Sequence, residues 1–411
     1  RLTIDLDRKL NGGRPRRRSD KRHPNEMAVV LWDDAGGHEP LAFCRLRPIL
    51  LREIMDEFGD LALATKIREF ASGKLVLITE IHSLVEKRTS LLSQWILTEA
   101  LAYALSEEYT YCIYHGTGGK DSRTEELLKR QGFRRMEHMG NDLVMAAALY
   151  APTTLTDNIE TVLKDPFQRN PNVMEVVFRA HRRMQEALTE FRPGHLVLSF
   201  DSRVMYHRMI DKITDANGVP NVPAIPPQLG DKMCVPFGKM FRNSVAPNTV
   251  TKALYTERVF HENMDGFTIQ EYPNYSSLQT QIKTIRSFRR DIILVDDLLH
   301  KGYRLRELVP LLRKADLHID RILVGILTAR GRDLAQANGL NADSVYFIPN
   351  VHSWLVESTM YPFIGGDSVA GSSSNPSGLL PSVNLILPYV APIFLMRDSR
   401  EAAYRLSLVC L

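Results

Sequence analysis

The chain has 411 residues, 44% of them hydrophobic and 24% charged, an ordinary globular composition that excludes fibrous, collagenous and largely disordered classes. A single core rarely grows beyond about 250–300 residues, so at least two folded bodies are expected. The net charge of +4 conceals a basic head: residues 1–24 carry nine Lys or Arg against three Asp, leaving the rest of the chain slightly acidic.

No apolar run reaches the roughly 18 residues of a membrane helix, since Leu379 to Met396 is broken by Pro381, Asn384, Pro388 and Pro392. No membrane partner is expected. Cys44, Cys112, Cys234 and Cys410 lie far apart and in no metal-ligand pair, which fits a reducing cytoplasm. The basic segment 1–26, with Arg14, Arg16, Arg17, Arg18, Lys21 and Arg22, is either a solvated arm or a contact for nucleic acid or another polyanion. A chain that opens on Arg1 without a signal peptide is compatible with a piece of a longer protein.

Ala28 to Trp32 and Leu41 to Leu46 flank a turn-rich Asp33–Gly37, the pattern of a hairpin. Lys74 to Ile81 reads as a buried strand, and Leu92, Ile96, Ala100 and Tyr103 give Thr89 to Ser106 a helical face. Tyr109 to Tyr114 is a strand, Ser122 to Gln131 a helix stopped by Gly132, and Leu143 to Leu149 another strand. Over residues 27–150 this order, with Lys129-Arg130-Gln131-Gly132-Phe133 near its end, resembles the GNAT acyltransferase superfamily. The resemblance implies a mixed sheet that binds acetyl-coenzyme A, its pyrophosphate held by backbone amides at a helix start. Lys87, Ser90 and Leu92 fall on that turn, the last two where smaller residues are usual, and Leu128 stands where a tyrosine often protonates the leaving thiolate. Glu80, near the end of the central strand, is the implied base for deprotonating an amine. His115 to Lys120 is a Gly-rich basic loop, either a plain connection or an anion contact.

Residues 151–172, with Pro152, Pro166 and Pro171, read as a linker with a short helical insert near Asn158 to Lys164. The second body, 173–411, opens with a helix whose apolar face is Val177, Ala180, Met184 and Ala187. His195 to Phe200 is a strand, Lys232 to Val235 and Thr249 to Phe260 are strand-rich, and Leu278, Ile282, Ile285 and Phe288 mark a helix. Asp291 to Val295 is a continuous apolar strand of the kind buried in a parallel sheet, delivering Asp296-Asp297-Leu298-Leu299-His300-Lys301-Gly302-Tyr303-Arg304. Leu305, Leu308, Val309 and Leu312 continue as a helix that Pro310 must kink or delay, and Arg321 to Leu327 is the next buried strand. The fold class is α/β: a GNAT-like mixed-sheet domain followed by a doubly wound parallel-sheet domain.

Two carboxylates at the carboxyl end of a strand, a glycine and a helix start together suit a sugar phosphate, the acids taking hydroxyls or magnesium and the amides taking the anion. The run resembles the PRPP-binding loop of type I phosphoribosyltransferases. Asp296 and Asp297 match its acidic pair, Leu298 and Leu299 its apolar pair, and Gly302 its glycine. His300, Lys301 and Arg304 replace its threonines, with Lys301 and Arg304 able to meet a phosphate by charge. The resemblance implies Mg2+ at Asp296 and Asp297, a pyrophosphate contact at Arg203 and a cation supplied by Lys239, Arg242 or Lys252. It further implies a lid over Asn263 to Ser277 and a base-selecting hood near Trp354 and Met360 to Gly366. Two functions follow: a two-domain transferase acting on a phosphoribosyl ligand and an acyl donor, or a non-catalytic sensor of PRPP or nucleotides. A homodimer is left open.

Overall fold

The computed structural model describes residues 25–33, 39–84, 89–116, 122–137, 142–226, 228–239, 241, 245–261, 266–272, 274–361, 368–369 and 400–410. The basic head, Lys87, Arg242, Asn263 and Pro362 to Gly366 lie outside them. The chain forms two compact units, one of residues 1–152 with 193–198, the other of residues 153–192 with 199–411.

In the first unit the hairpin is β1 (Met27–Asp33) and β2 (Glu39–Ile49). Residues 51–70 fold as a short 3-10 turn and two helices, α1 (Ile54–Phe58) and α2 (Leu61–Phe70). Asp60 caps α2 by accepting from the Leu63 N–H at 3.0 Å, and Leu63, Ala64 and Ile67 are its buried face. Then come β3 (Lys74–Ser83), α3 (Thr89–Ser106), β4 (Tyr109–Gly116), α4 (Ser122–Arg130), β5 (Arg134–Arg135) and β6 (Leu143–Asp157). The sheet order is β1-β2-β3-β4-β6, antiparallel except for the parallel pair β3 and β4. Leu92, Ile96 and Ala100 of α3 are buried, as the apolar spacing requires, whereas Tyr103, placed on the same face, is exposed and Leu101 is buried in its stead.

Residues 151–172, read as a linker with a short helical insert near Asn158 to Lys164, hold a helix at that insert and regular structure on both sides of it. β6 runs on to Asp157, α5 (Ile159–Val162) follows, and a 3-10 turn at Phe167–Arg169 leads into α6 (Pro171–Thr189). Prolines at a strand edge and at the first position of a helix do not interrupt either. The buried residues of α6 are His181, Met184, Gln185, Ala187 and Leu188, so its inward face is rotated from the expected Val177 and Ala180. β7 (His195–Asp201) divides, with residues 193–198 in the first unit, where the Ala148 N–H donates to Gly194 at 2.8 Å and the Val197 N–H to Gln131 at 3.0 Å.

The second unit continues with α7 (Ser202–Asn217), β8 (Met233–Pro236), β9 (Val250–Thr251), β10 (Thr256–Phe260), β11 (Phe267–Glu271) and α8 (Leu278–Ser287). After these stand β12 (Ile292–Leu299), α9 (Tyr303–Lys314), β13 (Ile319–Leu327), α10 (Ala329–Ala337), β14 (Ala342–Phe347), β15 (Ser353–Val356), β16 (Ser368–Val369) and α11 (Arg400–Cys410). Five strands form a wholly parallel sheet in the order β14-β13-β12-β8-β9. Ile292, Leu294 and Val324 from its centre pack with Leu305, Leu308, Val309 and Leu312 of α9, which accounts for the unbroken apolar runs. Thus the chain is mixed α/β, with a mixed sheet followed by a parallel one.

Candidate functional site

Sequence reading ended the central strand at Val295, but β12 stays paired with β13 through Leu299, so Asp296 and Asp297 lie within the strand and the turn is only His300-Lys301-Gly302. On the other flank the last pair is Val295 with Pro236, after which the Phe237 N–H donates to the Val295 carbonyl at 2.9 Å. Residues 237–239 then fold over the acidic pair. The Lys239 N–H donates to Asp297 Oδ2 at 2.8 Å, and Gly238 approaches so closely that a Cβ there would stand 2.6 Å from Asp296 Oδ1 and 2.5 Å from Asp297 Oδ1. Only glycine fits such an approach.

Both carboxylates are buried, Asp296 at 5% and Asp297 at 1% exposure. Asp296 Oδ1 accepts from Arg304 Nη1 at 2.8 Å and from the Asp297 N–H at 2.8 Å. Burial pushes the Asp296 carboxyl up, Arg304 opposes that, and the like charge of Asp297 adds to it. Arg304, expected to hold a phosphate, is therefore the internal counterion of the first acid. This donor arrangement does not fit a resident magnesium ion, because Asp296 already takes its positive partner from the chain.

The turn itself is tight. Gly302 has φ +66°, and a Cβ on it would come within 1.9 Å of Leu334 Cδ2. His300 Nδ1 lies 3.1 Å from Thr328 Oγ1, and burial with the nearby Lys301 and Arg330 cations pulls its pKa down. Lys301 is exposed and Tyr303 meets Phe267 edge-on at 4.9 Å between ring centroids. Residues 267–271 of the expected lid are β11, paired antiparallel with β10. Lys239 Nζ pairs with the buried Glu257 of β10 at 3.0 Å, whereas Lys252 is exposed. A cleft of about 570 Å³ lined by Lys283, Arg286, Arg289, Arg290 and His318 opens beside Asp291, before β12, rather than at its acidic end.

Arg203 belongs to another cluster. It is the third residue of a strand-to-helix turn capped by Asp201, and its guanidinium pairs with Asp201 Oδ2 at 3.0 Å and with Glu160. The expected pyrophosphate contact thus already faces two carboxylates. Behind it lies a group that sequence reading missed: Asp157, His181 and Glu357. A histidine within the apolar face of α6 was the available signal. Trp354, assigned to the hood, lies in β15 and its Nε1–H donates to Thr156 Oγ1 at 3.1 Å.

In the first unit, β3 and β4 pair only from Lys74 with Tyr109 to Ile78 with Tyr114 among the described residues, though β3 continues to Ser83. A bulge at Thr79 marks the parting, and Glu80 follows it, with Oε2 3.4 Å from Arg45 Nε. Glu80 is accessible but shares its charge with that arginine. Ser90 is described only as helical backbone at the start of α3. His115 stands one residue before the end of β4, with Nε2 3.2 Å from Asp142 Oδ2 and Nδ1 3.8 Å from Glu57 Oε1, while Glu57 also pairs with Arg47.

No family model and no curated protein matches the chain. Among solved structures, FeeM, an N-acyl amino acid synthase from uncultured soil microbes, aligns at 14% identity over 31% of this chain and 68% of its own, with a TM-score of 0.23. A hypoxanthine phosphoribosyltransferase from Trypanosoma cruzi, complexed with IMP, aligns at 11% identity over 36% of this chain and 72% of its own, with a TM-score of 0.22. At that level of likeness the architecture rests on the strand pairings above.

Proposed function

We propose that the second unit binds a phosphoribosyl or nucleotide ligand as a sensor, without releasing pyrophosphate. The observation that carries this reading is the Arg304–Asp296 pair at 2.8 Å, buried at the point where a transferase of this kind would need a free acid. A phosphate arriving at the start of α9 competes with Asp296 for Arg304 and adds the exposed Lys301, so binding and release of the internal ion pair are coupled. Calorimetric titration of the full chain with PRPP and with nucleoside monophosphates, with and without Mg2+, tests it. Saturable binding with no pyrophosphate released across candidate bases is expected. Release of pyrophosphate, or no binding of any of these compounds, overturns it.

The transferase reading is second, favoured by the retention of both acids on the central parallel strand and by the β10–β11 hairpin beside Tyr303. It requires Arg304 to leave Asp296 so that Mg2+ can enter. For the first unit we infer an acyl-coenzyme A site where β3 and β4 part, with Lys87 and Ser90 toward the pyrophosphate and Glu80 as base. Acetyl-coenzyme A is expected to raise the melting temperature, and Glu80→Gln to abolish acetylation of amine substrates while leaving that shift intact. Absence of the shift sinks the proposal for this unit.

A further inference from the structure

The cluster behind Arg203 lies wholly within the second unit and has no part in the function proposed above. Glu357, on the turn after β15, is fully buried, and its Oε2 stands 2.7 Å from His181 Nδ1. Asp157, at the end of β6, brings its Oδ2 within 3.9 Å of the same nitrogen. The three potential ligand atoms all lie within 4.8 Å of one another. Metal–ligand bonds of about 2.0–2.2 Å place neighbouring donors roughly 3–3.5 Å apart, so displacements of under about 1 Å would close them on an ion.

The surroundings match a ligand set as well. His181 Nε2 is 3.3 Å from Ser199 Oγ, a partner that fixes the ring with Nδ1 toward the carboxylates. The other oxygen of Glu357 accepts from the Tyr361 hydroxyl at 2.9 Å. Nearby Asp201 and Glu160 are both engaged by Arg203. Asp157 and Glu357 both face His181, with Arg203 also acting on Asp157, and with a neutral ligating histidine the two carboxylates would offer their charge to a divalent ion.

We propose that Asp157, His181 and Glu357 form a binding site for a divalent transition-metal ion of nitrogen and oxygen preference, such as Mn2+ or Zn2+. One histidine with two carboxylates is the donor mixture such ions accept, and no thiol is among them. The ligands come from positions 157, 181 and 357, so the ion clamps α6 and the turn after β15 to the end of β6, and its binding adds to the stability of the unit.

The full chain, stripped with EDTA and titrated with Co2+, Zn2+ and Mn2+, tests this. One ion per chain, a Co2+ spectrum free of thiolate charge transfer and a raised melting temperature are expected. Glu357→Gln, close in shape, should weaken binding more than about tenfold, and Ser199→Ala should weaken it about tenfold while preserving the fold. Failure of the wild-type chain to bind any of the three ions, which is what a purely structural pair of protonated His181 with Glu357 predicts, overturns the proposal. So does a thiolate band, or affinity unchanged in folded Glu357→Gln. Should that variant unfold, the wild-type stoichiometry and spectrum decide.

Discussion

Arg304 shows how a single side chain changes the chemistry of a site. A buried carboxylate beside a second one is costly to ionise, and the guanidinium at 2.8 Å offsets that cost. Arg304→Ala is therefore expected to destabilise the chain by about 3 kcal/mol, and adding Asp296→Asn to restore most of it, as read by urea denaturation in a double-mutant cycle. Additive losses would show that the pair is not coupled. A second residue-scale case is Glu57, held down to about 2 by the facing His115, 3.8 Å away, against burial and with help from Arg47. The Glu57 carboxylate, joined by Asp142, raises His115 above 6.5 despite burial. The lowered acid contributes stability that is present above its unfolded value of 4.5 and lost as pH falls toward about 2. The raised base contributes stability present below 6.5 and lost as pH rises through its folded value. Glu57→Gln should thus cost most between pH 4.5 and 6.5, by an amount of the order of 1–3 kcal/mol, and almost nothing near pH 2, measured by denaturation across pH. A pH-independent cost would refute the charge account.

At the scale of elements, local pattern was a good guide where burial is one-sided or complete. The continuous Ile292 to Val295 run is the centre of the parallel sheet, and the Leu305, Leu308, Val309 and Leu312 spacing is the buried face of α9. The pattern failed where a neighbour decides. β12 extends through two aspartates because β13 keeps pairing with it, and Phe288, placed on the face of α8 by spacing, is its exposed C-cap at 43%. Pro310 sits inside α9, exposed, where it cannot donate to the Arg306 carbonyl. Pro310→Ala is expected to stabilise by about 1–3 kcal/mol, seen as a higher melting temperature, since no packing is lost. A lower one would mean that the proline shapes the helix for its neighbours.

At the scale of the whole molecule, the first unit is not a continuous stretch of chain. Residues 193–198 complete it, and Leu196, Val197 and Leu198 are buried. A fragment of residues 25–152 is expected to melt lower than the same fragment carrying 193–198 on a short Gly/Ser linker, because each large apolar side chain contributes about 1.5–3 kcal/mol. Equal melting temperatures would show that the returning strand is dispensable. Hydrophobic periodicity is a local property, so the α/β class, most strands and helices and the strand that carries Asp296 and Asp297 into a glycine turn could be read in one pass along the chain. Partnership across long separations could not. The meeting of His181 and Glu357 across a sequence separation of 176, the passage of Gly238 over the acids and the return of residues 193–198 arise from strand order and helix packing, which bring together groups whose spacing in sequence carries no sign of their meeting.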